Sequence, residues 1–164
     1  MRETAADLER LQALLDQSVE RASPFLRRSF EMPERSLSAA DLAARLDGLI
    51  VVSLATVTAK GEPRVAPIDA VFLRGYFYVP TVAQAARAKH LARRPGVSVT
   101  YYEGRATAVI VHGRATAVGP GEELFDEIEE IRLAEGGESL LKWSGDPIFL
   151  RVEPDLIYTY AKEL

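Results

Sequence analysis

Cysteine is absent from this 164-residue sequence, and histidine occurs only twice, as His90 and His112. Without cysteine the chain has no disulfides, no thiolate metal ligands and no cysteine nucleophile. Two histidines are too few for a histidine-rich metal centre. We therefore expect no metal site.

The sequence also lacks a long apolar run and an excess of positive charge. No segment has the length and apolarity of a membrane-spanning helix, and the opening MRETAADLERL has no apolar signal-peptide core. The formal net charge of -4 argues against general binding of nucleic acid. We expect a soluble, cytoplasmic protein that binds neither membranes nor nucleic acid.

The residues that are present fit one domain over residues 1–164, because 48% of them are hydrophobic and 27% are charged. The first 48 residues predict helices. Thr4 and Asp7 have the spacing of a capping box, and Ser38 begins a later helix that Gly48 closes. We interpret residues 1–48 as a helical N-terminal extension.

From Leu49 onward the apolar pattern becomes that of strands. The candidate strands are LIVVSLATV, RVAPIDAVFL, YFYVP, VSVTYY and ATAVIVHGRATAV. PIFLRV and LIYTYA predict a last strand or strand pair, interrupted at Pro154. Five or six short strands joined mainly by hairpins predict a small antiparallel barrel with flanking helices. The first and fifth segments are apolar on both faces. One small barrel cannot bury both faces, so the flanking helices, a second subunit or both must cover the outer one. A homodimer is the simpler expectation.

A short basic helix follows the third strand. Its sequence, QAARAKHLARR, carries Arg87, Lys89, His90, Arg93 and Arg94. Thr81 is a candidate N-cap, and a helix N-terminus with nearby cations suits a phosphate. Arg87 and Lys89 lie about 200° apart on an ideal helix, however, so they do not share a face. The alternative is a solvated helix whose basic residues favour its C-terminal end.

The ordered run LATVTAKGEPRVAPIDAVFLRGYFYVPTVAQAARAKHLARRPGVSVTYYEG, followed by VHGRATAVG, resembles the flavin-binding split-barrel proteins related to pyridoxamine 5'-phosphate oxidase. The resemblance implies a six-stranded antiparallel split barrel that holds FMN in a groove between the subunits of a homodimer. It also implies the cofactor-binding residues: Arg64, Val65, Ala66 and Pro67 beside the ring system, Thr81, Arg87 and Lys89 at the phosphate, and Trp143 near the ring. For Trp143, packing under the acidic helix predicted at GPGEELFDEIEEIRLAEGG is an equal alternative.

The function implied is that of an FMN-binding oxidoreductase, which transfers hydride through the flavin to an unidentified small-molecule substrate. The resemblance assigns no catalytic residue. The segment SGDPIFLRVEPDLIYTYAKEL lacks the basic and histidine residues expected for pyridoxine phosphate, so that substrate is not implied. Three alternatives stay open: a reductase that uses the 5-deazaflavin coenzyme, a haem-binding barrel, and a ligand-binding barrel without catalysis.

A haem-binding barrel would need His90 or His112 as its axial ligand. We interpret His90 as solvated or packed beside Arg94. We interpret His112 as partly buried and bonded to the backbone.

Overall fold

A computed structural model describes residues 2–163, and over these residues the chain forms five α-helices and one 3-10 turn. In chain order they are α1 (Ala5–Arg21), α2 (Pro24–Ser29), α3 (Ala39–Arg45), α4 (Ala86–Arg93), α5 (Glu123–Ala134) and the 3-10 turn Leu140–Lys142. Over the described range, every helix is too short or too polar to cross a membrane.

The helix starts follow the predicted caps. The Asp7 N–H donates to the Thr4 hydroxyl at 3.2 Å, and the Asp7 carboxylate accepts from the Thr4 N–H at 3.0 Å. The predicted capping box is therefore confirmed. Ser38 caps α3 through the N–H of Asp41 at 3.1 Å, as the sequence also predicts.

Six strands form one closed antiparallel barrel. They are β1 (Leu49–Val57), β2 (Pro63–Leu73), β3 (Tyr76–Val82), β4 (Gly96–Glu103), β5 (Thr107–Val118) and β6 (Pro147–Ala161). Their order around the barrel is β1-β2-β3-β6-β5-β4, and all neighbouring strands are antiparallel. This confirms the expected six-stranded antiparallel split barrel with flanking helices.

The barrel is split where strand pairing is incomplete. β2 pairs with β3 only through Val71, Phe72 and Leu73, although it pairs with β1 from residue 63 to residue 71. Residues 63–70 of β2 therefore present a free edge. Pro67 lies on this segment, where a residue without an N–H is tolerated.

The main core fills the barrel and continues under the helices. Its cluster joins Val52, Leu54, Val99 and Val111 of the barrel to Leu42 of α3, Leu91 of α4 and Leu11 of α1. A second cluster packs Phe125 and Ile128 of α5 against Tyr78 and Phe149. Because Leu91 belongs to the main cluster, α4 is fixed to the barrel rather than held away from it.

The last strand is continuous, so the predicted interruption at Pro154 is wrong. Gly113 pairs with Pro154 and His112 pairs with Leu156, which leaves Asp155 as an extra residue in β6. This register shift is a β-bulge, and a bulge lets a strand take up an unpaired residue without ending.

The predicted N-cap at Thr81 is also wrong. α4 begins at Ala86, and its N-cap residue, Ala85, makes no side-chain cap bond. Thr81 lies inside β3, is 4% exposed and pairs with Ile148. The physical reason is that β3 continues through Thr81 and Val82 by pairing with the start of β6, and both residues are β-branched.

Candidate functional site

A groove opens where the free edge of β2 approaches α4. Its volume is about 310 Å³, at the lower end of the range for small-molecule sites. The lining residues are Leu54 and Thr56 of β1, Arg64, Val65 and Ala66 of β2, and Ala86, Arg87 and His90 of α4. The groove therefore has one wall from a hairpin and one from the basic helix.

The register of the β1–β2 hairpin brings the strand residues of the groove together. Leu54 pairs with Ala66, and Thr56 pairs with Arg64. Residues directly opposite each other in an antiparallel pair place their side chains on the same face. Val65 lies between Arg64 and Ala66, so its side chain is on the opposite face of the strand, where it is 71% exposed.

The helical wall is positioned by the buried face of α4. Ala88 and Leu91 are 7% and 3% exposed and anchor the helix on the barrel. Arg87 and His90, which are also three residues apart, both line the groove. Lys89 lines a different cavity, as its position about 200° from Arg87 requires.

Arg87 is the unpaired cation of the groove. Its Nη1 is buried and has no hydrogen-bond partner among residues 2–163. A buried donor without a partner costs about 1–3 kcal/mol. Arg64 differs, because its Nη2 donates to the Glu62 carboxylate at 2.8 Å and its Nη1 to the Pro63 carbonyl at 3.0 Å. The charge of Arg64 is thus offset within the chain.

Two other arginines have a buried nitrogen without a partner, namely the Nε of Arg132 and of Arg151. Each of these guanidinium groups nevertheless binds a carboxylate, Arg132 that of Glu129 at 3.1 Å and Arg151 that of Glu153. Among residues 2–163, Arg87 forms no such ion pair. Residues 2–163 therefore supply no acidic partner for Arg87.

His90 is a groove residue that the sequence interpretation missed. Its Nδ1 lies 3.3 Å from the Thr56 hydroxyl, and the ring lines both the groove and the cavity that contains Arg94. The sequence does contain a signal for this residue: His90 is three residues from Arg87, and this spacing places both side chains on the same side of a helix. Leu54 and Thr56 were missed too, and only the hairpin register indicates them.

The structure brings four of the eight predicted cofactor residues together in the groove: Arg64, Val65, Ala66 and Arg87. Pro67, Thr81, Lys89 and Trp143 do not line it. Trp143 is 37% exposed, and the Arg132 guanidinium lies 5.9 Å from its ring centroid. Because Arg132 belongs to α5, this contact fits the alternative of packing beside the acidic helix.

His112 stands outside the groove, and the interpretation of a partly buried histidine bonded to the backbone is wrong. The residue is exposed, and its Nδ1 lies 2.8 Å from the Ser98 hydroxyl. The two residues are partners in the β4–β5 register, so their side chains share the outer face of the barrel.

The lining of the groove suits the binding of an anionic ligand. Its lining combines small and apolar groups of the hairpin with the unpaired Arg87, and in the described chain no carboxylate lines it. Its imidazole, His90, is next to the Thr56 hydroxyl. This arrangement suits an anion joined to a flat, largely apolar body. Redox chemistry at such a site would come from a cofactor.

Comparison with known families identifies this architecture. Residues 39–161 match the family model described as pyridoxamine 5'-phosphate oxidase, which covers most of the chain. No curated protein matches the sequence.

Several solved structures share the fold. An FAD-binding protein from Mesorhizobium loti is 23% identical with a TM-score of 0.59, and the match covers 76% of this chain and 93% of that one. HutZ, the haem storage protein from Vibrio cholerae, is 21% identical with a TM-score of 0.60, covering 74% and 90%. An F420 reductase is 15% identical with a TM-score of 0.56, covering 70% and 93%. At these identities the likeness shows the fold alone.

Proposed function

We propose a function for this chain from the premise that it belongs to the pyridoxamine 5'-phosphate oxidase family: it is an FMN-binding oxidoreductase that acts on a small-molecule substrate. The ring system of FMN lies along the strand segment Arg64–Ala66, and its phosphate binds Arg87. The flavin supplies hydride transfer when bound, and the chain supplies binding and orientation.

The buried, unpaired Nη1 of Arg87 is the observation that carries this proposal. A phosphate monoester holds nearly two negative charges at neutral pH and offers strong acceptor oxygens. A charge-assisted hydrogen bond from Arg87 would satisfy a donor that has no partner within the described part of the chain. Arg64, already bound to Glu62, would instead shape the wall beside the ring.

The outer face of the barrel supports a homodimer. Ala55 pairs with both Val65 and Ser98, so the side of β1 that carries Ala55 and Val51 continues onto Val65 of β2 and Tyr102 of β4. On this face Val51, Val65 and Tyr102 are 60%, 71% and 62% exposed. A second copy of the chain would cover them and close the open side of the groove.

The 5-deazaflavin coenzyme is a second candidate cofactor, and F420 is a coenzyme of this type. The observation that favours it is a further cavity of about 400 Å³ beyond Arg87 and His90, which gives room for its longer tail. Haem is a further candidate, because His90 supplies an imidazole to the groove.

Absorption and fluorescence titrations of the purified protein test this proposal. FMN, the deazaflavin coenzyme and haem are added separately, and the affinity and stoichiometry of each are measured. We expect FMN to bind with one molecule per chain and to show a perturbed flavin spectrum. Binding of haem without binding of either flavin compound would contradict the proposal.

A further inference from the structure

The imidazole of His90 lies beside Arg87 in the groove and is held by a buried hydroxyl. Its Nδ1 is 3.3 Å from the Thr56 hydroxyl, and both residues line the groove together with Arg87. Thr56 is 4% exposed and pairs with Arg64 in the β1–β2 hairpin, so the barrel fixes the position of the hydroxyl. The next residue of α4, Leu91, is buried in the main core. The ring of His90 is therefore positioned from the helix and from the barrel.

The contact with Thr56 occupies one ring nitrogen of His90 and leaves the other open to a ligand. Among residues 2–163, the Thr56 hydroxyl is the one hydrogen-bond partner of the ring. A hydroxyl donates to Nδ1 when the imidazole is neutral, and it accepts from Nδ1 when the imidazole is protonated. The same contact can therefore hold the ring in both charge states. In both of these arrangements Nε2 carries a hydrogen that it can donate to an anion.

The charged groups that line the spaces on either side of His90 are all cations. In the described part of the chain, no carboxylate lines either space, and the cations are Arg64 and Arg87 in the groove and Lys89, Arg93 and Arg94 in the neighbouring cavity. An anion bound at Arg87 would therefore be the negative group closest to the imidazole. A nearby negative charge favours the protonated form of a histidine.

We propose that His90 couples the binding of the anion at Arg87 to the uptake of a proton. Its Nε2–H donates to the phosphate, and this hydrogen bond becomes charge-assisted when the ring is protonated. The proton comes from solvent and resides on Nδ1, from which the Thr56 hydroxyl accepts a hydrogen bond. Thr56 is a positioning residue, because it acts through the orientation of His90. This inference rests on the proposed function, since the anion is the phosphate of the flavin.

The test measures how strongly the chain prefers FMN to riboflavin at pH 8 and at pH 6, because histidine side chains usually gain their proton in this range. Fluorescence quenching gives both dissociation constants for the wild type and for His90→Gln, in which the glutamine keeps an N–H donor but cannot take up a proton. Binding of riboflavin, which has no phosphate, shows that each variant is folded. The phosphate of FMN itself gains a proton near about pH 6 in every variant, so the comparison with His90→Gln isolates the contribution of the histidine.

Three further variants separate positioning from other effects. Thr56→Val removes the hydroxyl that holds the ring, and Thr56→Ser restores a hydroxyl at the same position. His112→Gln is the matched control, because His112 is the other histidine of the sequence and does not line the groove. It removes the same titrating group from a different place.

From pH 8 to pH 6, we expect the preference of the wild type for FMN, divided by that of His90→Gln, to rise about threefold or more. Thr56→Val should lose most of this rise, whereas Thr56→Ser and His112→Gln should keep it. A quotient that does not change with pH, or a rise that His112→Gln also loses, would overturn the inference. Wild-type behaviour of Thr56→Val would overturn the positioning role of Thr56. A wild type that shows no preference for FMN at either pH would instead contradict the proposed function.

Discussion

Two arginines with a buried nitrogen show how the surroundings of a side chain distinguish a structural role from a proposed binding role. Arg132 is 2% exposed, yet Glu129 neutralises it at 3.1 Å and the rings of Trp143 and Phe149 lie 5.9 and 5.8 Å from its guanidinium. Arg87 has a buried nitrogen and no ion pair within the described chain. The first arginine is therefore a structural one, and for the second we propose a role in binding a ligand.

Substitution of Glu129 tests the structural assignment of Arg132. Glu129→Ala leaves the Arg132 charge buried and unpaired, and it also frees the Leu140 N–H, which donates to Glu129 at 2.6 Å. Breaking a buried ion pair from one side costs about 3–5 kcal/mol, so the free energy of unfolding should fall by that amount. Urea unfolding measures it. The exposed neighbour Glu130→Ala is the control and should stay within about 0.5 kcal/mol of the wild type; equal losses for the two variants would count against this account.

The bulge between β5 and β6 makes a prediction at the scale of an element. A Cβ added at Gly113 would lie 2.0 Å from the Glu153 carbonyl oxygen, which is a backbone atom and cannot rotate away. Gly113→Ala must shift β5 against β6, and we expect it to lower the free energy of unfolding by about 1–3 kcal/mol. Gly96→Ala is the matched control, because a Cβ there meets nothing within 4 Å. If thermal unfolding shows no difference between the two variants, the bulge does not hold this register.

The start of α1 predicts a pH dependence. Burial opposes ionisation of Asp7, but hydrogen bonds from the Thr4 backbone, Arg10 and the Thr4 hydroxyl, together with the charge of Arg10, lower its pKa from 3.8 to about 2. A group whose pKa is lower in the folded state stabilises the fold above its unfolded pKa and loses that effect as pH falls. The free energy of unfolding should decrease between about pH 4 and pH 2. In Asp7→Asn this contribution should be absent; an unchanged acid slope would contradict it.

Elements whose signals are local could be predicted from the sequence, and elements that depend on distant partners could not. The Thr4 and Ser38 caps and the strands depend on neighbouring residues, and the structure confirms them. Thr81 joins β3 because it pairs with Ile148, and β6 stays continuous at Pro154 because Gly113 forms the bulge opposite. Both partners are far away in the chain, so no local pattern indicates them.

The candidate site could be predicted from the sequence only in part. The strand residues from Arg64 to Ala66 and the helix residue Arg87 followed from the family resemblance, and the structure brings them into one groove. His90 was missed because helix spacing alone does not show which face meets the hairpin. The role of Trp143 at the ring stays a prediction, since within one chain it lies beside Arg132.

The whole molecule should be a homodimer that uses the outer face of β1, β2 and β4. Light scattering should give twice the 18.0 kDa of one chain. Val51→Asp places a charge on a residue that is 60% exposed at the centre of the proposed interface, so it should shift the equilibrium toward the monomer. Phe25→Asp changes an equally prominent residue on α2, 71% exposed, and should leave the dimer intact. A wild-type particle of 18.0 kDa at micromolar concentration would contradict the proposal.

The central claim, that Arg87 binds the phosphate of a flavin in the groove, is tested most directly by comparing FMN with riboflavin, which has the same ring system and no phosphate. Fluorescence quenching gives both dissociation constants for the wild type and for Arg87→Ala, at two salt concentrations. We expect the wild type to bind FMN more tightly than riboflavin by about 1.5–3 kcal/mol, Arg87→Ala to lose this difference with little change for riboflavin, and added salt to weaken FMN binding moderately. Equal affinity of the wild type for FMN and riboflavin would contradict the account.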